Sequence, residues 1–446
     1  MREIHTAQTS LFDVYARHKF GEFLRRLSNH LDDHPALLDI IAEDFQFKEL
    51  KATGRKGLSI ESTFRCMLLK QISGDSYEKL AFHLTDSSSY RSFARLAGNY
   101  HPGKSALSNS IRRIQPQTLE RVFETINQSA FEQGTLDIKR LRIDSTVVRS
   151  NIAPPLDSKL LDDGIRVLSR LIAKSRDVTG VKLRLTDYRK ASKSLAARIF
   201  YSKKTEKEQL YAELIPLARR VVGQSLRAVE QVKSGSSYPD LSQPWIEEIT
   251  HYRQLLERVI DQAERRVLQG EKVPANEKIY SLFEPHTDII IKGLRDIEYG
   301  HKINLSTDAK GLITSLLIED GNPCDTARFI PVIEAHQSLY GIVPETSIAD
   351  GGYASQSNIE DGKLLGIKRV GFHKKKGITL SQMGMKAKTL KVLRDFRAGI
   401  EGNISELKRA FGAHKATWKG KDGFVSFVLA SVISYNLTRL VRIESG

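Results

Sequence analysis

Leu141-Arg142-Ile143-Asp144-Ser145-Thr146-Val147-Val148 is the stretch on which the fold turns. Half of it is β-branched and its apolar residues alternate with polar ones, the pattern of a strand with one face on a core. A strand here opens a domain unlike what precedes it, and it carries Asp144. Upstream, from residue 11 to about residue 134, the apolar spacing is helical: 58–72, 77–84, 90–96 and 106–114 are punctuated by Gly74, Asp86 and Pro102-Gly103. Short successive helices predict a compact bundle. Within it, residues 76–84, then Asp86-Ser87-Ser88-Ser89 and a second helix, fit a helix-turn-helix. Any bundle contains such pairs, so Phe82 and His83 read as core or surface residues rather than base contacts.

Downstream of Pro154-Pro155 the helical spacing returns through 160–173, 188–204, 206–232 and 245–267, which predicts an inserted helical domain. Strands resume at 301–307 and 312–318, joined by Asp308-Ala309-Lys310-Gly311, a turn composition suited to an antiparallel hairpin. Asp325 or Thr326 can cap a helix running to about Tyr340. Residues 346–350 give a short strand ended by Gly351-Gly352, with Asp350 at its end, and helices follow at 390–411 and 423–441.

The chain has 446 residues, with 69 Lys and Arg against 53 Asp and Glu, a net charge of +16. Its 40% hydrophobic content supports real cores and excludes a wholly disordered chain. The charge is local: residues 174–230 hold 14 basic against 6 acidic residues, and residues 361–400 hold 11 against 2, including Lys374, Lys375 and Lys376. Two basic segments in an otherwise neutral chain form an electrostatic footprint for a polyanion, although such runs also serve as solvated helix faces. Two cysteines, Cys66 and Cys324, supply neither a disulfide framework nor zinc-ligand spacing. Residues 1–20 hold no apolar segment, and the longest apolar stretch, 424–437, is broken by Ser426, Ser431 and Ser434. No membrane association is expected, and the chain reads as cytosolic.

The acids define the chemistry. Cleaving a phosphodiester requires stabilising charge on the attacking and leaving oxygens, which two Mg²⁺ ions held by carboxylates can do. On the 390–411 helix, at ~100° per residue from Ile400, the residues Phe396, Ile404, Leu407 and Phe411 fall within about 40° of one line. Arg397, Glu401 and Lys408 form a ridge beside that stripe at roughly 60–100°, while Glu406 points away. An Arg397–Glu401 pair is also ordinary i, i+4 helix pairing, and Asp144 or Asp350 taken singly is more often structural. Asp308, Asp320 and Asp325 are rival acids, but they sit in turns or at a helix cap, where side chains bond nearby amides.

Through Arg142-Ile143-Asp144-Ser145-Thr146, Ile348-Ala349-Asp350-Gly351-Gly352-Tyr353 and Arg397-Ala398-Gly399-Ile400-Glu401 continuing to Lys408, the sequence resembles the DDE transposases of bacterial insertion sequences. The third stretch is similar to their Tyr, Arg, Glu, Lys signature, with Arg394 at the tyrosine position. Residues 58–96 also resemble the helical domain preceding the catalytic core in many such proteins.

The resemblance implies an α/β fold: a ribonuclease H-like mixed sheet flanked by helices (136–160 and 286–446), an N-terminal all-α, DNA-binding domain (1–135) and a basic helical insertion (161–285). Asp144, Asp350 and Glu401 would be the catalytic, metal-binding acids, with Mg²⁺ as cofactor and Mn²⁺ as substitute. Arg397, Lys408, Lys374, Lys375 and Lys376 would bind DNA. The implied reaction is hydrolysis of a phosphodiester at the element's end, freeing a 3′ hydroxyl that attacks target DNA. The partners would be terminal inverted repeats, target DNA and a second or further copy of the chain, in the bacterial cytoplasm at the nucleoid. A domesticated, non-catalytic DNA-binding protein and a metal-dependent nuclease without strand transfer are the alternatives.

Overall fold

The computed structural model describes residues 4, 17–45, 57–236, 239–292, 296–373 and 377–444. Lys374, Lys375 and Lys376 therefore lie outside the described residues. The chain divides into two compact units, Met1–Arg149 with His301–Gly446, and Ser150–Gly300.

Among the described residues the strands form one six-stranded mixed sheet. They are β1 (Arg140–Arg149), β2 (Asp288–Lys292), β3 (Asp296–Thr307), β4 (Ile313–Ile318), β5 (Thr346–Ala349) and β6 (Arg369–Phe372). Their order is β2-β3-β1-β5-β6, with β4 also on β3. The 301–318 hairpin expected from its turn composition is present as antiparallel β3 and β4. Asp308 makes that turn by accepting from the Leu312 amide at 2.8 Å, the local role expected of an acid in a turn. β1 pairs with β5, and β5 with β6, in parallel, and each of β1 and β5 is buried along most of its length.

The Ala387–Ala410 helix lies across β1, β5 and β6. Arg142 on β1 anchors it: Nε donates to Thr307 Oγ1, Nη1 to the Phe396 carbonyl and Nη2 to Asn403 Oδ1, each at 2.8 Å. Gly399, an apparent weakness in a helix interior, is what admits this guanidinium. A Cβ there would collide with Arg142 Nη1.

The N-terminal helices share their core with the last helix, Lys421–Ile443. Gln71 donates to Ser431 Oγ at 2.9 Å, and the Asn436 amide bonds Asn127 and the Ile313 carbonyl. Lys421–Ile443 is the one described helix long and apolar enough to cross a membrane, and here it is buried inside this core. The helix-turn-helix candidate becomes Tyr77–Asp86 and Ser88–Ala94, joined by Ser87 alone. Its second helix turns Ser89, Phe93 and Ala94 inward.

The second unit is largely helical, and its Asp157–Thr179, Arg189–Tyr201, Lys204–Gly235 and Pro239–Ala263 helices surround a separate core. Pro216 and Pro244 sit within two of these helices without ending them.

Candidate active site

The parallel register sets Ile143 opposite Ala349, so Asp144 and Asp350, one residue further on, emerge side by side from adjacent strands. The Ala387–Ala410 helix crosses beneath them and brings Arg397 and Glu401. Arg397 Nη2 lies 2.8 Å from Asp144 Oδ2 and 3.7 Å from Asp350 Oδ1, and Nη1 lies 2.7 Å from Glu401 Oε1. The first two distances sum to 6.5 Å, the most that can separate those Asp144 and Asp350 oxygens. Three acids remote in sequence thus share one guanidinium.

Their surroundings differ. Side-chain exposure is 9% for Arg397, 16% for Asp144, 44% for Asp350 and 64% for Glu401. Burial pushes the Asp144 carboxyl up to about 6; Arg397 and the Ser145 amide, which donates to Asp144 Oδ1 at 2.8 Å, oppose this, while Asp350 and Asp325 add to it. Arg397, expected on a ridge beside the apolar stripe, is drawn into the buried face. It is buried with Leu390, Leu393, Ile400 and Leu407. Lys408 is half-buried on the same helix, seven residues beyond Glu401 and about 10 Å along its axis.

Of the rival acids, Asp320 pairs with Lys421 at 2.6 Å; Glu406, the helix acid that points away, pairs with Arg439 and Arg442 at 2.9 Å, and both are structural uses. Asp325 is closer to the site than its reading as a helix cap implied. It makes no cap bond; instead Lys302 Nζ lies 2.5 Å from its Oδ1 and the Ser145 hydroxyl donates to it at 3.2 Å. It also lies against the turn after Asp350, where a Cβ on Gly352 would meet Asp325 Oδ2 at 2.6 Å. Behind it, Tyr353 donates to Asn304 Oδ1 at 2.6 Å, and Asn304 donates to Glu319 at 2.8 Å. The sequence signal for Lys302 and Asn304 was their place on a strand otherwise built of buried residues, where polar side chains need partners.

Among the described residues no group of three or more His, Cys, Asp or Glu is drawn together closely enough to hold a metal ion by itself. The Arg397 guanidinium is the positive charge between the carboxylates. The donor set, three carboxylates from the middle of β1, the end of β5 and a helix, is the hard-oxygen type that suits Mg²⁺ or Mn²⁺.

Comparison with known proteins gives two matches. Residues 297–437 match the family described as Transposase DDE domain, a segment that includes Asp350, Arg397, Glu401 and Lys408. Residues 12–113 match the family described as Transposase domain (DUF772). Asp144 lies outside both segments, so geometry alone joins it to the other two acids. No curated protein and no solved structure matches the chain. Both matched segments are transposase domains, of kinds typical of bacterial insertion sequence transposases.

Proposed function

We propose that this chain cuts DNA at the ends of a mobile element and joins those ends to target DNA, with Asp144, Asp350 and Glu401 as its catalytic carboxylates. The observation that carries the reading is their meeting at Arg397 from the middle of β1, the end of the adjacent β5 and a crossing helix. The mixed sheet, with Glu401 on a helix lying over it, is consistent with a ribonuclease H-like core.

The three acids would hold Mg²⁺ or Mn²⁺, which supplies charge neutralisation at the attacking and leaving oxygens. The chain's own groups do the rest. Asp144, its carboxyl pushed up to about 6 by burial, is the least solvated of the three acids. Asp350 and Glu401, more exposed, complete an acidic face open to DNA. Arg397 and Lys408 hold phosphate beside the acids, and Lys374, Lys375 and Lys376 add backbone charge.

In the reaction water replaces one bridging oxygen of the phosphodiester, which leaves as a 3′ hydroxyl with the proton. That hydroxyl then displaces a bridging oxygen of the target strand, so bond number is conserved and no covalent protein intermediate is needed. The paired ends are assigned to a homodimer or higher assembly of the chain. Residues 1–135 are assigned to DNA binding, 136–160 with 286–446 to catalysis, and 161–285 to further DNA contact, all at the nucleoid in the bacterial cytoplasm.

The test is purified chain with a labelled terminal repeat, target DNA and Mg²⁺. Nicked ends with a free 3′ hydroxyl, then joined products, are expected. Asp144→Asn, Asp350→Asn and Glu401→Gln should each remove both products while DNA binding persists. Retained cutting by Asp144→Asn would refute the assignment, and cutting without joining would favour a nuclease.

A further inference from the structure

The Arg189–Tyr201 helix of the second unit buries Ser192, Leu195 and Ile199. At ~100° per residue, Lys190, Lys193, Ala197, Phe200 and Tyr201 fall on the opposite arc of that helix. All five are exposed, and the helix contains no acidic residue. Phe200 and Tyr201 are 61% and 84% exposed, edge to face with ring centroids 5.0 Å apart. Lys203 and Lys204, also exposed, follow at once. Arg189 is held by Asp187 at 2.7 Å and Arg198 lies 3.9 Å from Glu213, whereas Lys190, Lys193, Lys203 and Lys204 make no ion pair among the described residues.

A single exposed aromatic is ordinary. Two adjoining rings, flanked by four lysines without ion pairs and opposite the buried stripe, are a different surface. Lysines of this kind neutralise phosphates, and aromatic faces stack on bases. A paired duplex offers its phosphates but hides its base faces, so the rings gain a partner only where bases are unpaired. We infer that this face binds a DNA strand with unpaired bases, on which Phe200 and Tyr201 stack while Lys190, Lys193, Lys203 and Lys204 hold the backbone. The inference rests on the DNA-processing reading above and names where, and in what form, the second unit meets DNA.

The experiment compares the full chain binding a blunt duplex and the same duplex with a short unpaired tail carrying 2-aminopurine, by anisotropy and by quenching of that base. Phe200→Ala and Tyr201→Ala should each weaken binding of the tailed DNA by about 5- to 100-fold and remove the quenching, with the blunt duplex unaffected. Tyr201→Trp should keep both. Lys190→Glu with Lys193→Glu should weaken both DNAs and flatten the salt dependence by about two counterions. Alanine variants that bind the tailed DNA like the parent, or lose both DNAs equally, overturn the inference. It also fails if they lower the oligomeric state in sedimentation with DNA binding unchanged, since the rings then cover a second copy. A parent protein that binds neither DNA would instead refute the DNA-processing reading.

Discussion

Removing the Arg397 guanidinium withdraws the one positive charge that the three acids share. The contacts differ in strength: the Asp144 pair is short and mostly desolvated, the Glu401 pair is short but exposed, and the Asp350 pair is longer. Breaking a fully buried pair costs about 3–5 kcal/mol, and an exposed one contributes at most about 1 kcal/mol. Asp144 and Arg397 keep some solvent, and Asp144 can escape its isolation by taking a proton. Arg397→Ala should therefore destabilise the first unit by about 2–3 kcal/mol at pH 8.

The pH dependence follows from the raised Asp144 value. Its proton affinity is higher folded than unfolded, so the cost of ionising it is absent below about pH 4, grows as pH rises to about 6, and is constant above. Losing Arg397 raises the value further, so the variant's deficit should shrink to under about 1 kcal/mol at pH 5. Trp418 lies in the first unit and Trp245 in the second. In a Trp245→Phe background, urea unfolding followed by tryptophan fluorescence reads the unit that holds the site. Mg²⁺ should stabilise the variant more than the parent, by up to about 2.7 kcal/mol at a hundredfold excess over its dissociation constant. Equal deficits at both pH values, or a Mg²⁺ response no larger in the variant, would refute the reasoning.

Gly399→Ala gains about 1 kcal/mol of helix propensity but displaces Arg142 from the Phe396 carbonyl and Asn403, so a net loss of about 1–2 kcal/mol in chemical denaturation and reduced cutting are expected. Glu401→Gln should lose cutting in the terminal-repeat assay, whereas Glu406→Gln, five residues on and bound to Arg439 and Arg442, should cut normally with a small stability loss. Burial lowers His336 to about 4, against a smaller opposing effect of the Ile138 backbone, so its stabilising neutrality is complete above about pH 6.5 and is lost as pH falls towards 4. Thermal melts of His336→Leu across that window should show an acid limb flatter by about 3 kcal/mol.

Elements with a regular apolar period were readable from sequence. β1, the β3–β4 hairpin and the Ala387–Ala410 helix each lie within a few residues of the expected spans. The angular reading of that helix left Arg397 at the border of the inward stripe because it used only Phe396 to Phe411. Leu390 and Leu393 are also buried, and at roughly 80° and 20° they widen the inward arc to include Arg397. β6 was hidden because four residues, one of them Gly371, abut a lysine run and look like a basic loop. The side-by-side placement of Asp144 and Asp350 is a register between strands, which no local pattern encodes. Asp325 looked like a cap because a turn acid usually bonds nearby amides, but Lys302 and the Ser145 hydroxyl hold it instead. The shared core of the N-terminal helices and Lys421–Ile443 depends on contacts such as Gln71 with Ser431, equally invisible to periodicity.

The most direct test of the three-acid site is anomalous scattering from Mn²⁺ in crystals of the full chain with terminal-repeat DNA. The account predicts a Mn²⁺ peak about 2.0–2.6 Å from an Asp144 oxygen, with Asp350 or Glu401 completing the shell and the Arg397 guanidinium displaced from between them. Mn²⁺ bound elsewhere, with Arg397 still paired to all three acids beside cleaved DNA, would contradict it.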